Sequence, residues 1–144
     1  MIPRKKKDLK KDGAQKSAPK KGRARTKKVR LNKDGTPRKK QAKLNAPSKA
    51  YALAQGWDAD ITEYWNSFAR KRKDLYGFID MVVSKPGIGI VGVQITTKQN
   101  VNARIKKIES LPSYYKWKES KGLVEVWGWY QDKDEAWKLE ITVL

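Results

Sequence analysis

The stretch from Lys73 to Lys107 decides the fold, and it reads KDLYGFIDMVVSKPGIGIVGVQITTKQNVNARIKK. Two apolar segments, residues 75–83 and 88–96, flank a Pro-Gly pair that marks a turn. Both segments are expected to be strands of a buried sheet, because each is short and rich in β-branched residues. The first contains a single acid, Asp80. A buried carboxylate is costly unless a partner compensates its charge, so Asp80 is the first candidate functional residue.

Polar side chains recur at every second position where the second strand ends, at Gln94, Thr96 and Lys98. Side chains on a strand alternate between its two faces, so these three are expected to share one face. If the strand of Asp80 pairs alongside, its carboxylate reaches the same face. Oxygens of Asp80, Gln94 and the backbone carbonyl of Ile95 would then suit Mg²⁺ or Mn²⁺. An acid beside a polar strand end is how sites that cut phosphodiester bonds hold a metal ion, and in such a site Lys98 would stabilise the negative charge that develops during attack on the phosphate.

A basic helix is predicted directly after this strand, capped by Asn100 and ending near Glu109. Val101, Ile105 and Ile108 would form its apolar face. Its basic residues Arg104 and Lys107 lie three positions apart, and they are expected to hold the phosphate next to the scissile one. Further nucleic-acid contacts are predicted at Thr96 and in the basic connector before the first strand of this stretch, at Arg70, Arg72 and Lys73.

The flanking segments predict the remaining elements. Ser48 is expected to cap a short helix that Gly56 ends. Residues 57–68 fit both a helical stripe and a strand alternation, and a strand over 59–65 is preferred. Residues 123–130 and 137–143 read as two further strands. The predicted fold is α/β, with a single mixed sheet and flanking helices in the order αβββαββ.

The charge of the chain is concentrated at one end. Residues 1–49 carry 20 of the 34 Lys and Arg residues and three of the 15 acidic residues, whereas every Trp, Tyr and Phe lies in residues 50–144. Residues 1–46 are therefore predicted to be a disordered basic tail and residues 47–144 the folded domain. Such a tail favours a polyanion, above all nucleic acid and DNA in particular, with contacts expected at Arg30, Arg38, Lys39 and Lys40.

Several classes of protein are disfavoured by composition. The chain has no Cys and no His, which excludes disulfides, thiolate zinc sites and a histidine general base. No apolar run approaches the length of a membrane span, so no membrane association is expected. No apolar stretch follows the N-terminal charges either. The protein is therefore expected not to be secreted, and to be cytoplasmic or nucleoid-associated.

The segment Arg72-Lys73-Asp74-Leu75-Tyr76-Gly77-Phe78-Ile79-Asp80, followed fourteen residues later by Gln94-Ile95-Thr96, resembles the PD-(D/E)XK nuclease superfamily, in particular its Holliday-junction-resolvase-like and phage or bacterial members. The resemblance implies a restriction-endonuclease-like fold over residues 48–143, with 59–65 as the first strand. It implies that Asp80 binds the metal and that Gln94 stands where the family has Glu. Thr96 replaces the family's Lys, whose place Lys98 or Lys107 would take. The family often has an acidic residue on its first helix, and Glu63 is the nearby candidate for that role in this sequence.

Three functions follow from these observations. The first is a metal-dependent endodeoxyribonuclease, for which the resemblance also implies resolvase-like activity and pairing into a homodimer. The second is a DNA- or RNA-binding protein that keeps the nuclease fold without catalysis. The third is a basic structural component of a nucleoprotein. Asp80 also has a purely structural interpretation, as the partner of Arg70 or Arg72 in an ion pair.

Overall fold

The computed structural model describes residues 31–36 and 43–144. Most of the predicted basic tail, including Arg30, Arg38, Lys39 and Lys40, lies outside the described residues, so its disorder and its contacts stay predictions. Residues 32–36 form a turn in which Gly35 has a φ of +80° and the Asn32 N–H donates to the Thr36 carbonyl at 2.8 Å.

Residues 43–144 contain three helices and seven strands. The helices are α1 (Asn45–Ala54), α2 (Val101–Glu109) and α3 (Pro112–Glu119). The strands are β1 (Asp58–Ile61), β2 (Tyr64–Asn66), β3 (Lys71–Lys73), β4 (Met81–Lys85), β5 (Gly89–Thr97), β6 (Leu123–Gln131) and β7 (Trp137–Val143). In this part of the chain, no helix is long and apolar enough to cross a membrane.

Five of the strands form one mixed sheet in the order β1-β4-β5-β6-β7. Only β5 and β6 run parallel, and α2 and α3 lie in the connection between them. The other neighbouring strands are antiparallel. The prediction of an α/β fold with a mixed sheet and helices is confirmed. The predicted element order omitted α3 and the two-stranded hairpin β2–β3, which lies outside the main sheet.

Apolar side chains cover both faces of the sheet. One face carries Met81, Val83, Val91 and Val93, which pack with Ala52 and Tyr51 of α1. The opposite face carries Val124 and Val126, which pack with α2 and α3 through Val101, Ile108, Tyr114 and Trp117. Because strand side chains alternate, Asp80 and Gln94 belong to the same face as α2. This arrangement sets the side of the sheet on which the polar residues meet.

The strand expected over residues 75–83 begins only at Met81, so that prediction is wrong for its first half. Tyr76 and Gly77 both have positive φ, at 55° and 83°, and the chain reverses there. Leu75 and Ile79 exchange backbone hydrogen bonds of 2.9 Å in both directions across the loop. The loop closes just before Asp80, whose backbone N–H donates to the Val93 carbonyl at 2.9 Å. Asp80 is thus anchored to the sheet beside the first residue of β4.

The strand expected over residues 59–65 is divided in two. The backbone N–H groups of Thr62 and Glu63 both donate to the Asp80 carbonyl, at 2.8 and 3.1 Å, and the chain leaves the sheet at this point. Residues 58–61 pair with β4 as β1, and residues 64–66 begin the separate hairpin. The hairpin therefore starts directly beside Asp80.

The two predicted helix caps are wrong in the described structure. Helix α1 begins at Asn45, so Ser48 lies within it, where its buried hydroxyl accepts a 2.8 Å hydrogen bond from the Trp129 indole. The Asn100 side chain donates to the Thr97 hydroxyl at 3.0 Å and makes no capping bond to α2. In both places the side chain that was expected to cap the helix is hydrogen-bonded to another side chain instead. Gly56 does follow α1 with a φ of +80°, as expected.

Candidate functional site

Asp80 and Gln94 face each other across neighbouring strands. Strands β4 and β5 are antiparallel and pair Met81 with Val93, so the residue before Met81, which is Asp80, lies opposite Gln94. Their side chains therefore leave the sheet on the same face. The Gln94 Nε2 donates to Asp80 Oδ2, and the Ile95 backbone N–H donates to the same oxygen at 2.8 Å. Asp80 is 5% exposed and Gln94 is 2% exposed. The juxtaposition expected from the strand period is therefore present.

The environment of Asp80 opposes its ionisation. Burial raises the pKa of its carboxyl to about 7, which the Ile95 N–H partly counteracts. The nearby negative charges of Asp74 and Glu63 contribute to this raised value. A carboxyl that titrates near neutral pH changes its charge readily when a cation arrives, because a positive charge favours the ionised form.

Gln94 carries a buried atom that no protein group satisfies. Its Oε1 has no hydrogen-bond partner within the described residues. Rotation of the amide by 180° exchanges Oε1 with Nε2, and it would place the oxygen against the Asp80 carboxyl. Two oxygens in that position require a proton or a cation between them. The unsatisfied oxygen therefore marks the side chain as one half of an incomplete polar site.

These two residues form the floor of a cleft of about 590 Å³. Three acidic and three basic residues line the cleft. The acidic residues are Glu63, Asp74 and Asp80, and the basic residues are Lys43, Arg72 and Arg104. The lining also includes Ile95, Thr96, Thr97 and Asn100. The structure therefore brings together seven of the predicted site residues, namely Glu63, Arg72, Asp80, Gln94, Ile95, Thr96 and Arg104.

Glu63 links the start of α1 to the hairpin. One carboxylate oxygen accepts from the Asn45 side-chain amide at 2.6 Å and from the Arg72 guanidinium at 3.0 Å. Arg72 thus pairs with Glu63. An ion pair of Asp80 with Arg70 or Arg72 is absent from residues 43–144, so the structural interpretation of Asp80 as their partner is wrong.

Lys98 lies outside the cleft. Its ammonium pairs with Glu140 of β7 and lies over the Tyr130 ring, 4.5 Å from the ring centroid. Lys98 is not among the described residues that line the cleft. The predicted ladder of three residues ends at Thr96, because β5 stops at Thr97 and a single 3₁₀ turn, Lys98–Asn100, redirects the chain.

Three other predicted cations, Lys107, Arg70 and Lys73, are not among the described residues that line the cleft. The Lys107 ammonium is 3.7 Å from a carboxylate oxygen of Asp74, which itself lines the cleft. Arg70 and Lys73 are exposed residues of the hairpin segment. Among these three cations, only Lys107 contacts a residue of the cleft wall through an ion pair within the described part of the chain.

Sequence reasoning missed Asp74, Lys43 and Asn45 as residues of the cleft. Asp74 had a signal, since it is a second acid six positions before Asp80 and next to a glycine-containing turn. The reversal at Tyr76 and Gly77 folds it back towards Asp80, which the strand expected there did not allow. Lys43 and Asn45 had no signal, because only the packing of α1 brings them to the cleft.

The donor set is sparse for a metal centre. Within residues 31–36 and 43–144, no three acidic side chains converge closely enough to hold an ion by themselves. Any ion must therefore use the Gln94 amide or a backbone carbonyl beside the carboxylates. Comparisons with protein-family models, with curated proteins and with solved structures gave no match to the chain.

Proposed function

We propose that the protein binds DNA and hydrolyses its phosphodiester bonds with the help of Mg²⁺ or Mn²⁺ at Asp80 and Gln94. The observation that supports this function is the pair formed by a buried carboxyl of raised pKa and a buried amide oxygen without a partner, on one face of the sheet at the floor of an open cleft. After rotation of the Gln94 amide, one hard cation could take an oxygen of each side chain as a ligand.

The residues present fit such an ion. Asp80 offers a carboxylate, Gln94 offers its amide oxygen after rotation, and Asp74 lies in the same cleft wall. All are hard oxygen donors of the kind that Mg²⁺ and Mn²⁺ prefer. Because Asp80 must lose its proton to serve as a ligand, ion binding and proton release are coupled. A single fully buried carboxylate predicts weak affinity for the ion.

When bound, the ion would polarise the scissile phosphate and lower the pKa of a water molecule. The chain itself supplies the cations that stabilise developing phosphate charge, and in the described cleft wall these are Lys43, Arg72 and Arg104. They take the part that the sequence assigned to Lys98. Arg104, on the first half of α2, also remains the candidate for the phosphate next to the scissile one, together with Lys107.

The restriction-endonuclease-like character of the fold belongs to this proposal. It is supported by the mixed sheet, by a helix on each face and by the acid at the start of the second main-sheet strand opposite Gln94. The basic tail adds affinity for any nucleic acid through its charge. Resolvase-like specificity and a homodimer remain part of the proposal on the strength of the sequence resemblance.

We expect the wild-type protein to nick supercoiled plasmid DNA with Mg²⁺ or Mn²⁺ and to be inactive in EDTA. The Gln94→Glu variant should need about 10-fold less Mg²⁺ for half-maximal nicking, because a second carboxylate strengthens the ligand set. Gln94→Leu should lose nicking, since it removes the amide oxygen but keeps a similar side-chain size. The measurement is the initial rate of nicked-circle formation against metal concentration.

The activity of a contaminating nuclease would be the same in preparations of both Gln94 variants. Opposite effects of the two variants on nicking therefore exclude a contaminant. Nicking that is the same in wild type, Gln94→Glu and Gln94→Leu would contradict the proposed site. Binding of DNA without nicking, in all three proteins and with both metals, would contradict catalysis and favour the second function.

That second function is a DNA- or RNA-binding protein without catalysis. Two observations favour it: Thr96 occupies the position of the expected Lys, and Lys98 is held by Glu140 away from the cleft. In that case Asp80 and Gln94 would complete each other as a protonated carboxyl and an amide, and the cleft cations would bind phosphate only.

A further inference from the structure

A short hairpin extends from the wall of the cleft. Within the described residues, strands β2 and β3 pair only with each other, with Trp65 opposite Arg72 and Asn66 opposite Lys71. Trp65 and Arg72 therefore leave the ribbon on the same face, and Arg72 is a residue of the cleft wall. The hairpin is thus connected to the proposed site by a side chain as well as by the backbone.

The tip of the hairpin presents an aromatic ring to solvent. Phe68 is 101% exposed, and Trp65 on the stem is 61% exposed. The tip has a defined conformation, because the Asn66 side-chain oxygen accepts from the backbone N–H groups of Phe68 and Ala69 at 3.0 Å each. Arg70 completes the turn with a φ of 50°. A fully exposed Phe held on an ordered tip contributes nothing to the core of this domain.

The rest of the hairpin is cationic. Four consecutive basic residues, Arg70 to Lys73, form its returning half. In the described structure only Arg72 of this run makes an ion pair with a carboxylate, at Glu63. Aromatic rings beside Lys and Arg are the combination that binds nucleic acid through base stacking and phosphate contacts.

The hairpin is also short enough to act on the DNA that occupies the cleft. Phe68 lies five residues beyond Glu63, so a fully extended chain would span at most about 17 Å between them. Successive nucleotides of one DNA strand are about 3.4 Å apart along the helix axis. The Phe68 ring therefore lies within about five nucleotides of a phosphate bound at the cleft.

We propose that the β2–β3 hairpin is a wedge that recognises unpaired or unstacked bases at a fork or branch of DNA, with Phe68 stacking on the exposed base and Arg70, Lys71 and Lys73 holding the adjacent phosphates. Apolar side chains inserted at base steps act in this way in DNA-bending proteins. The wedge directs the cleft to DNA whose strands diverge. This inference rests on the nucleic-acid-binding part of the proposed function.

The test compares the full-length wild type with Phe68→Ala in EDTA, so that no cleavage is needed. Binding is measured on a forked duplex with non-complementary arms and on a fully paired duplex of the same length. Phe68→Ala should bind the fork about 10- to 100-fold more weakly and the paired duplex within about 2-fold of wild type. The fluorescence of a 2-aminopurine at the last base pair of the fork should change on binding of wild type and not on binding of Phe68→Ala. The control variant is Ile88→Ala, which removes an exposed apolar side chain at the β4–β5 turn and should change neither affinity.

Each result has one interpretation. An equal loss on both DNAs, or no loss on the fork, would overturn the wedge while the proposed function stands. Failure of wild type to bind either DNA would overturn the proposed function and the wedge together. Because Phe68 is fully exposed, its replacement leaves the fold intact, and circular dichroism of the variant verifies this directly.

Discussion

The Asp80→Asn variant is expected to nick DNA at least about 1,000-fold more slowly than wild type and yet to be more stable above pH 7. Asn keeps an oxygen for the Ile95 N–H, which donates to Asp80 Oδ2 in wild type. It cannot provide a negative charge to a cation. The substitution therefore removes one negative charge, which the proposed chemistry needs but which destabilises the folded protein.

The pH dependence of the stability difference follows from the pKa of Asp80, which is raised from 3.8 to about 7 in the folded protein. The folded state then retains this proton to higher pH than the unfolded state does. The stability that the protonated carboxyl contributes is fully present below about pH 4, and it is lost as the pH rises to about 7. Three pKa units correspond to about 4 kcal/mol, which is the upper limit of the advantage of Asn above pH 7.

The measurement is urea unfolding of wild type and Asp80→Asn at several pH values from 4 to 8, without divalent metal. Titrating groups that do not interact with Asp80 cancel in the difference between the two proteins. The free energies of unfolding should coincide near pH 4 and diverge towards pH 8, with the variant more stable. A constant difference across this range, or a variant that is less stable at pH 8, would show that Asp80 does not titrate as its surroundings indicate.

The second large effect is expected at a buried ion pair on the other side of the sheet. The Lys85 ammonium lies 2.6 Å from Glu125 Oε1, and both residues are buried. Glu125 Oε2 accepts from the Trp127 indole at 2.8 Å, and Lys85 lies 4.2 Å from the centroid of the Trp57 ring. Glu125→Ala should reduce the free energy of unfolding by about 3–5 kcal/mol, because it leaves a buried ammonium without a counter-charge.

Two further variants complete this test by urea unfolding. Lys85→Met/Glu125→Gln removes both charges and keeps an acceptor for the Trp127 indole, so it should recover most of the lost stability. Glu140→Ala breaks the exposed pair with Lys98 and should have a much smaller effect, since solvent screens exposed charges. If Glu125→Ala is no more destabilising than Glu140→Ala, the pair is not buried as described.

The part of the site that depends on strand periodicity was predictable from the sequence. The alternation within β5 and the apolar run after Asp80 were enough to expect Asp80 and Gln94 on one face. Strands β5, β6 and β7 were predictable for the same reason, since each is a long apolar or alternating run bounded by turn residues.

The parts that depend on local reversals of the chain were not predictable. Tyr76 is a non-glycine residue at positive φ, and its side chain does not predict that conformation. The β2–β3 hairpin was hidden because Trp57, Ala59, Ile61, Glu63 and Trp65 alternate as one strand would. Lys98 was misplaced because a strand period extends only as far as the strand, and β5 ends one residue earlier.

The most direct test of the central claim is a crystal of the protein soaked in Mn²⁺ and measured for anomalous scattering. We expect one peak bonded to a carboxylate oxygen of Asp80 and to Gln94 Oε1, at about 2.0–2.2 Å from each, with the Gln94 amide rotated from its present orientation. A crystal that takes up Mn²⁺ elsewhere, while the Gln94 Nε2 still donates to Asp80, would contradict the proposed site.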